Sequence, residues 1–221
     1  MAQLTIVEAH EAPGRGPAGL AWDGESLWNA DYATGQIYRL DLATWTVRDQ
    51  IICPGVLSGV AWDGHGLWQA LIDEGWLRNI NPATHDYDRT IVIADHGRLA
   101  GVAWDGQQLW AVSQQQGALL AIDRAQGVVT GRVSIPVAAG GLAYHAGHLW
   151  VGYPYPMAFA GGQFDWLAGE RHFAVAEIDP GPGREVARYE VDFLPMGLAW
   201  VGEELWLSSA ARRQIYRARL A

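Results

Sequence analysis

A single cysteine, Cys53, stands in the 221 residues, so an internal disulfide is impossible and a cysteine-rich metal site is excluded. Long apolar runs are also missing: none approaches the roughly 18 residues that a membrane-spanning helix needs. The first residues, MAQLTIVEAHEAPG, lack a charged n-region followed by an apolar h-region, which points to a cytoplasmic protein, with a trimmed secretion signal as the alternative. Basic charge is scarce. Fifteen Lys and Arg face 24 Asp and Glu, for a net charge of −9, which argues against nucleic acid and against an anionic membrane surface. Cys53 follows an apolar strand and precedes a proline, the setting of a buried small hydrophobe rather than a nucleophile.

Local catalytic motifs are absent too. There is no HxH or HExxH spacing, no GxSxG elbow and no phosphate loop. The glycine-rich GRGPAG of residues 14–19 precedes a strand rather than a helix, so it cannot cradle a phosphate at a helix N-terminus. No cofactor is implied, although a Ca²⁺ site of Asp and carbonyl oxygens stays compatible with the composition.

What the chain has instead is a repeat. GLAWDGESLW at residues 19–28 returns as GVAWDGHGLW (59–68), GVAWDGQQLW (101–110), GLAYHAGHLW (141–150) and GLAWVGEELW (197–206). The first aromatics fall at Trp22, Trp62, Trp104, Tyr144 and Trp200, at intervals of 40, 42, 40 and 56. A period of about 40–45 residues marks a propeller or solenoid array. Nine of the twelve Trp sit in this motif, which makes them structural; only Trp45, Trp76 and Trp166 fall outside it. Each repeat divides into four short strand-like runs, with Asp-Gly as a hairpin turn after the first.

These features predict an all-β, five-bladed β-propeller of four-stranded blades in a single domain, residues 1–221, with blades near 19–52, 59–93, 101–135, 141–191 and 197–220. The last repeat supplies three strands. The N-terminal strand, residues 3–9, is expected to complete it and close the ring, removing two exposed sheet edges.

The fourth interval is stretched by about 15 residues, located as an insertion at 153–172. Loops longer than about 12–15 residues in compact domains are usually functional lids or disordered segments, and this one is too aromatic for a solvated linker. The short Asp-Gly turns suggest a structural face, so the opposite, irregular rim is the expected site. On it, Asp31, Glu74 and His96 are the candidate acid–base groups. Tyr32, Arg98, Tyr153, Tyr155, Trp166 and Arg212 are the candidate ligand contacts. For Asp31 the competing reading is a turn cap. No metal ligands are assigned.

At motif level the chain resembles the plant- and bacterial-type glutaminyl cyclotransferases. The resemblance rests on GLAWDG…LW…IYRLDLAT (19–44), its copies, and the terminal GLAW…IYRARL. It also resembles the propeller repeats of streptogramin lyases. The resemblance to the cyclotransferases implies a five-bladed propeller of similar length, with an essential Glu directly before one motif glycine. In this chain those positions hold Ala18, Ser58, Ala100, Gly140 and Met196.

The functional expectation is therefore a small-molecule-binding propeller, with lyase- or cyclase-type chemistry if it is an enzyme, and a pocket at the axial funnel under the 153–172 loop. The alternatives are a non-catalytic interaction scaffold, with the 153–172 loop joining copies or partners, and a carbohydrate-binding propeller that stacks sugars on Trp45, Trp76 and Trp166.

Overall fold

The computed structural model describes residues 3–53, 55, 57–93, 97–135, 139–155, 159–160, 163–164 and 172–220. It forms five four-stranded antiparallel sheets arranged as a β-propeller. Blade 1 contains β2 (Pro17–Trp22), β3 (Leu27–Asp31), β4 (Gln36–Asp41) and β5 (Thr46–Ile52). Blade 2 contains β6 (Leu57–Trp62), β7 (Leu67–Leu71), β8 (Trp76–Ile80) and β9 (Tyr87–Val92). Blade 3 contains β10 (Leu99–Trp104), β11 (Leu109–Ser113), β12 (Ala118–Asp123) and β13 (Val128–Ser134). Blade 4 contains β14 (Leu142–His145), β15 (His148–Tyr155), β18 (His172–Asp179) and β19 (Arg184–Val191). A two-stranded hairpin, β16 (Phe159–Ala160) and β17 (Gln163–Phe164), lies within the insertion.

Blade 5 is made from both ends of the chain. Its strands β20 (Gly197–Val201), β21 (Glu204–Ser209) and β22 (Gln214–Leu220) are completed by β1 (Leu4–Glu11), which pairs antiparallel with β22 from Leu4↔Leu220 to Glu11↔Gln214. The predicted closure is present, and it runs two residues beyond position 9.

Strand alternation explains how the blades hold together. Along each second strand, alternate residues face opposite neighbours. The second motif Trp points into the seam with the next blade, where it meets that blade's apolar positions. Trp28 meets Leu67 and Leu71, Trp68 meets Leu109, Trp110 meets Leu149, Trp150 meets Leu205, and Trp206 meets Leu27. The core is thus five seams rather than one central mass.

The motif Asp ties the hairpin to this indole. Asp23 Oδ1 accepts the amides of Glu25 and Ser26 while Oδ2 accepts Trp28 Nε1 at 2.8 Å. Asp63 and Asp105 repeat the arrangement with Trp68 and Trp110, at 2.7 Å in both cases. Blades 4 and 5 carry His145 and Val201 in that place, and there Trp150 Nε1 and Trp206 Nε1 are buried with no hydrogen-bond partner among the described residues.

Asp63 is the most heavily committed of the three. Burial pushes its pKa up, but the Gly66 and His65 amides, the Trp68 indole and the Arg124 guanidinium together hold it below the usual carboxylate range. A carboxylate whose folded pKa lies below its unfolded value stabilises the fold above the unfolded pKa of about 3.9, and that contribution is lost as pH falls through the lower folded value. Asp63→Asn should therefore lower stability by roughly 2 kcal/mol at neutral pH and flatten the stability–pH curve below about pH 4. Urea unfolding of both proteins across pH 2–7, with a wild-type-like acid limb in the variant as the contrary result, checks this.

Candidate functional site

The five first strands, β2, β6, β10, β14 and β20, contact one another around the axis. Each carries the same apolar–Ala–aromatic triplet at its end or one residue before it, and these fifteen residues line an axial pocket of about 110 Å³. Trp22, Trp62, Trp104, Tyr144 and Trp200 form its aromatic collar. Among the described residues, Tyr144 is the only titratable side chain in the lining. The collar residues are partly exposed, whereas the triplets' alanines are buried. His145 stacks on Trp200 at 4.1 Å and Arg124 lies over Trp104 at 4.7 Å, so neighbouring cations and rings steady the collar.

The pocket lies at the strand ends that lead into the Asp-Gly turns. The insertion leaves from the other end of blade 4: β15 continues past β14 as Tyr153↔Ala174, Pro154↔Phe173 and Tyr155↔His172. The described axial pocket and the described ends of the insertion, Tyr153–Tyr155 and His172, thus lie at opposite ends of blade 4.

The residues proposed on the irregular rim divide into several fates. Asp31 is fully buried and wholly used by its own loop. Its carboxylate accepts the amides of Gly16 (2.7 Å), Ala33 and Thr34, and the Thr34 hydroxyl. Tyr32 and Glu74 are exposed. Arg98 forms an exposed ion pair with Asp73 at 3.3 Å. Arg212 pairs with Asp192 at 2.9 Å and lies over Phe193; this contact lowers the Asp192 pKa and raises that of Arg212. Tyr153 is buried in the seam of blades 3 and 4, its hydroxyl donating to Glu185 at 3.2 Å. His96, Trp166 and the Tyr155 side chain lie outside the described residues. No hydrogen bond or ion pair joins any two of Asp31, Tyr32, Glu74, Arg98 and Arg212. Among the described residues, no three His, Cys, Asp or Glu cluster as metal ligands, and no helix is long and apolar enough to cross a membrane.

Cys53 and Trp45 are structural. Cys53 is 2% exposed, and burial pushes its thiol up to about 11, far from a nucleophilic thiolate. Trp45, one of the three tryptophans outside the motif, closes the seam of blades 5 and 1. It stacks on His10 at 4.0 Å and beside Trp206 at 5.9 Å, and its Nε1 donates to the Glu11 carbonyl.

No family model matches the chain, and no curated protein sequence matches it. Solved structures do. The glutaminyl cyclase of Myxococcus xanthus aligns with a TM-score of 0.80 and 16% identity, covering 99% of this chain and 97% of that one. A chain in the crystal structure of the mitotic checkpoint complex aligns with a TM-score of 0.61 and 13% identity, over 97% and 91% of the two chains. At these identities the likeness shows a shared fold and no activity; the five blades are those of the sheets described above. The positions before the five motif glycines, where the resemblance to the cyclotransferases implies a Glu, hold Ala18 and Ala100 at 1% exposure, Ser58 at 6%, Gly140, and a half-buried Met196.

Sequence reasoning set aside the motif aromatics as scaffold, and so missed the axial collar. The available signal was the repeat itself, because an identical position in every blade converges on the axis.

Proposed function

We propose that this protein is a small-molecule-binding propeller whose axial pocket, at the Asp-Gly end, takes a compact group of a few heavy atoms. The observation that carries this reading is the convergence of fifteen residues from all five blades on one pocket walled by four indoles and a phenol. Ligand pockets combine aromatic walls with a few polar groups that fix orientation, and here the exposed lining is more polar than apolar. This one is smaller than the roughly 300–1,000 Å³ of drug-sized sites, so it suits one moiety of a ligand, with the remainder over the collar. With Tyr144 as the only titratable lining side chain among the described residues, the pocket is better equipped for recognition than for acid–base catalysis.

A thermal-shift screen against amines, amino acids and sugars tests the reading. Stabilisation by at least one class, reduced when Trp104 is replaced by Ala, is the expected outcome. No shift from any class, or a shift of unchanged size in the Trp104 variant, would count against the pocket.

A further inference from the structure

Three of the inter-blade seams carry the same groove at the Asp-Gly face, and its contents differ from seam to seam. Between blades 2 and 3 the groove is filled from within. Arg124, the first residue of the turn after β12, reaches back to blade 2, where its Nη1 donates to Asp63 Oδ2 at 2.6 Å while its guanidinium lies over Trp104 at 4.7 Å. A motif carboxylate and the next blade's collar aromatic thus grip one guanidinium between them.

Between blades 1 and 2 the residue in Arg124's place is Pro82, and a groove of about 290 Å³ opens. There Arg39 of β4 still serves the carboxylate, 3.4 Å from Asp23 and over the Trp28 ring. Between blades 3 and 4 both arginine positions are gone. Pro180 stands in the place of Arg124, and Ala121 in the place of Arg39, opposite Trp110 in the sheet as Arg39 is opposite Trp28. The groove here is about 520 Å³, with Asp105, Trp110, Ala121, Tyr144 and Pro180 in its walls.

The turns that place Arg124 and Pro180 are congruent. In each, the amide four residues after the Asp donates to its carbonyl (Gly127 to Asp123, Gly183 to Asp179), and the amide two residues after it donates to its carboxylate (Ala125, Gly181). Asp105 Oδ2 accepts Trp110 Nε1 at 2.7 Å, as Asp63 Oδ2 accepts Trp68 Nε1, but no arginine of the described residues completes it. An ionised carboxylate oxygen has acceptor capacity beyond one indole. Arg132, on the outermost strand, borders the groove; it is exposed and makes no ion pair with Asp105.

We propose that the groove between blades 3 and 4 is a binding site for an external guanidinium group, held by Asp105 against the Tyr144 ring as Asp63 and Trp104 hold Arg124. A planar guanidinium suits this pairing better than an ammonium, because it can hydrogen-bond in its plane while stacking with its face. The site is separate from the axial pocket, sharing only the Tyr144 wall with it.

Calorimetric titration with agmatine and with cadaverine, its ammonium counterpart, tests the site, and a Gly-Arg-Gly peptide shows whether the guanidinium comes from a small molecule or a polypeptide. Agmatine or the peptide should bind on the order of tenfold more tightly than cadaverine, and Asp105→Asn should remove that preference. Pro180→Arg supplies the equivalent of Arg124 from within; it should block both guanidinium ligands and raise the Tm, while leaving any axial-pocket ligand from the thermal-shift screen bound. Equal affinity for agmatine and cadaverine, unchanged binding in Asp105→Asn, or undiminished binding in a folded Pro180→Arg protein would overturn the proposal.

Discussion

Replacing Gly197 by alanine is expected to destabilise the protein by about 3 kcal/mol or more, enough to abolish cooperative folding near 37 °C in a domain of ordinary stability. The motif glycines are where neighbouring first strands approach most closely around the axis. A Cβ at Gly197 would fall well inside contact distance of the Ala18 carbonyl oxygen and 2.8 Å from the Leu20 amide nitrogen. Both are backbone atoms of the adjacent blade, so no side-chain rotation relieves the clash and the seam of blades 5 and 1 must part. That seam buries Trp206, Leu27, Leu20 and Ile215. Gly24 offers a contrast, since nothing lies within 4 Å of a Cβ there; alanine at that site meets only the cost of its positive φ of 99°. Thermal denaturation of the two variants separates the effects. A Gly197→Ala protein no less stable than the Gly24→Ala protein would mean the glycines are not what brings the blades together.

Deleting residues 1–11 should have an effect at least as large. It removes β1 and with it the whole β22 edge pairing, the contacts of Glu8 with Arg217 at 3.0 Å, and the His10 ring that packs on Trp45. Blade 5 would be left with an unpaired edge, a template for intermolecular strand addition. The truncated chain is expected to aggregate on expression or to elute as large assemblies in size-exclusion chromatography. A monomeric truncation with a sharp, wild-type-like melting transition would show that closure is dispensable.

Much of this architecture was legible because a propeller repeats its physics along the chain. The interval between Trp22, Trp62 and Trp104 gave the blade, Asp-Gly gave the hairpin, and a three-stranded last repeat with a spare strand at Leu4 gave the closure. Other features depend on pairs that no linear window shows. Asp23 reads as a turn former, yet its second oxygen carries the Trp28 indole, and the loss of Asp at positions 145 and 201 is what leaves Trp150 and Trp206 without that acceptor. Asp31 reads equally well as a catalytic acid or a turn cap, and only its four bonds to residues 16, 33 and 34 assign it to the turn.

The proposed site was the least legible part. The collar is built from the most repetitive residues, whereas the sequence draws the eye to its one irregular segment, the 153–172 insertion. The groove between blades 3 and 4 was hidden differently. Its clue is a substitution relative to the chain's own repeats, Pro180 and Ala121 where Arg124 and Arg39 stand elsewhere, and such a clue has meaning only once Arg124 is seen bridging two blades.

The central claim, that recognition takes place on the axis at the Asp-Gly face, is most directly tested by following the twelve tryptophan indole N–H signals by NMR during titration with the compounds that stabilise the protein. The account predicts that the collar indoles of Trp22, Trp62, Trp104 and Trp200 shift together while Trp76 and Trp166 stay in place. Shifts confined to Trp76 and Trp166 with a silent collar would contradict it.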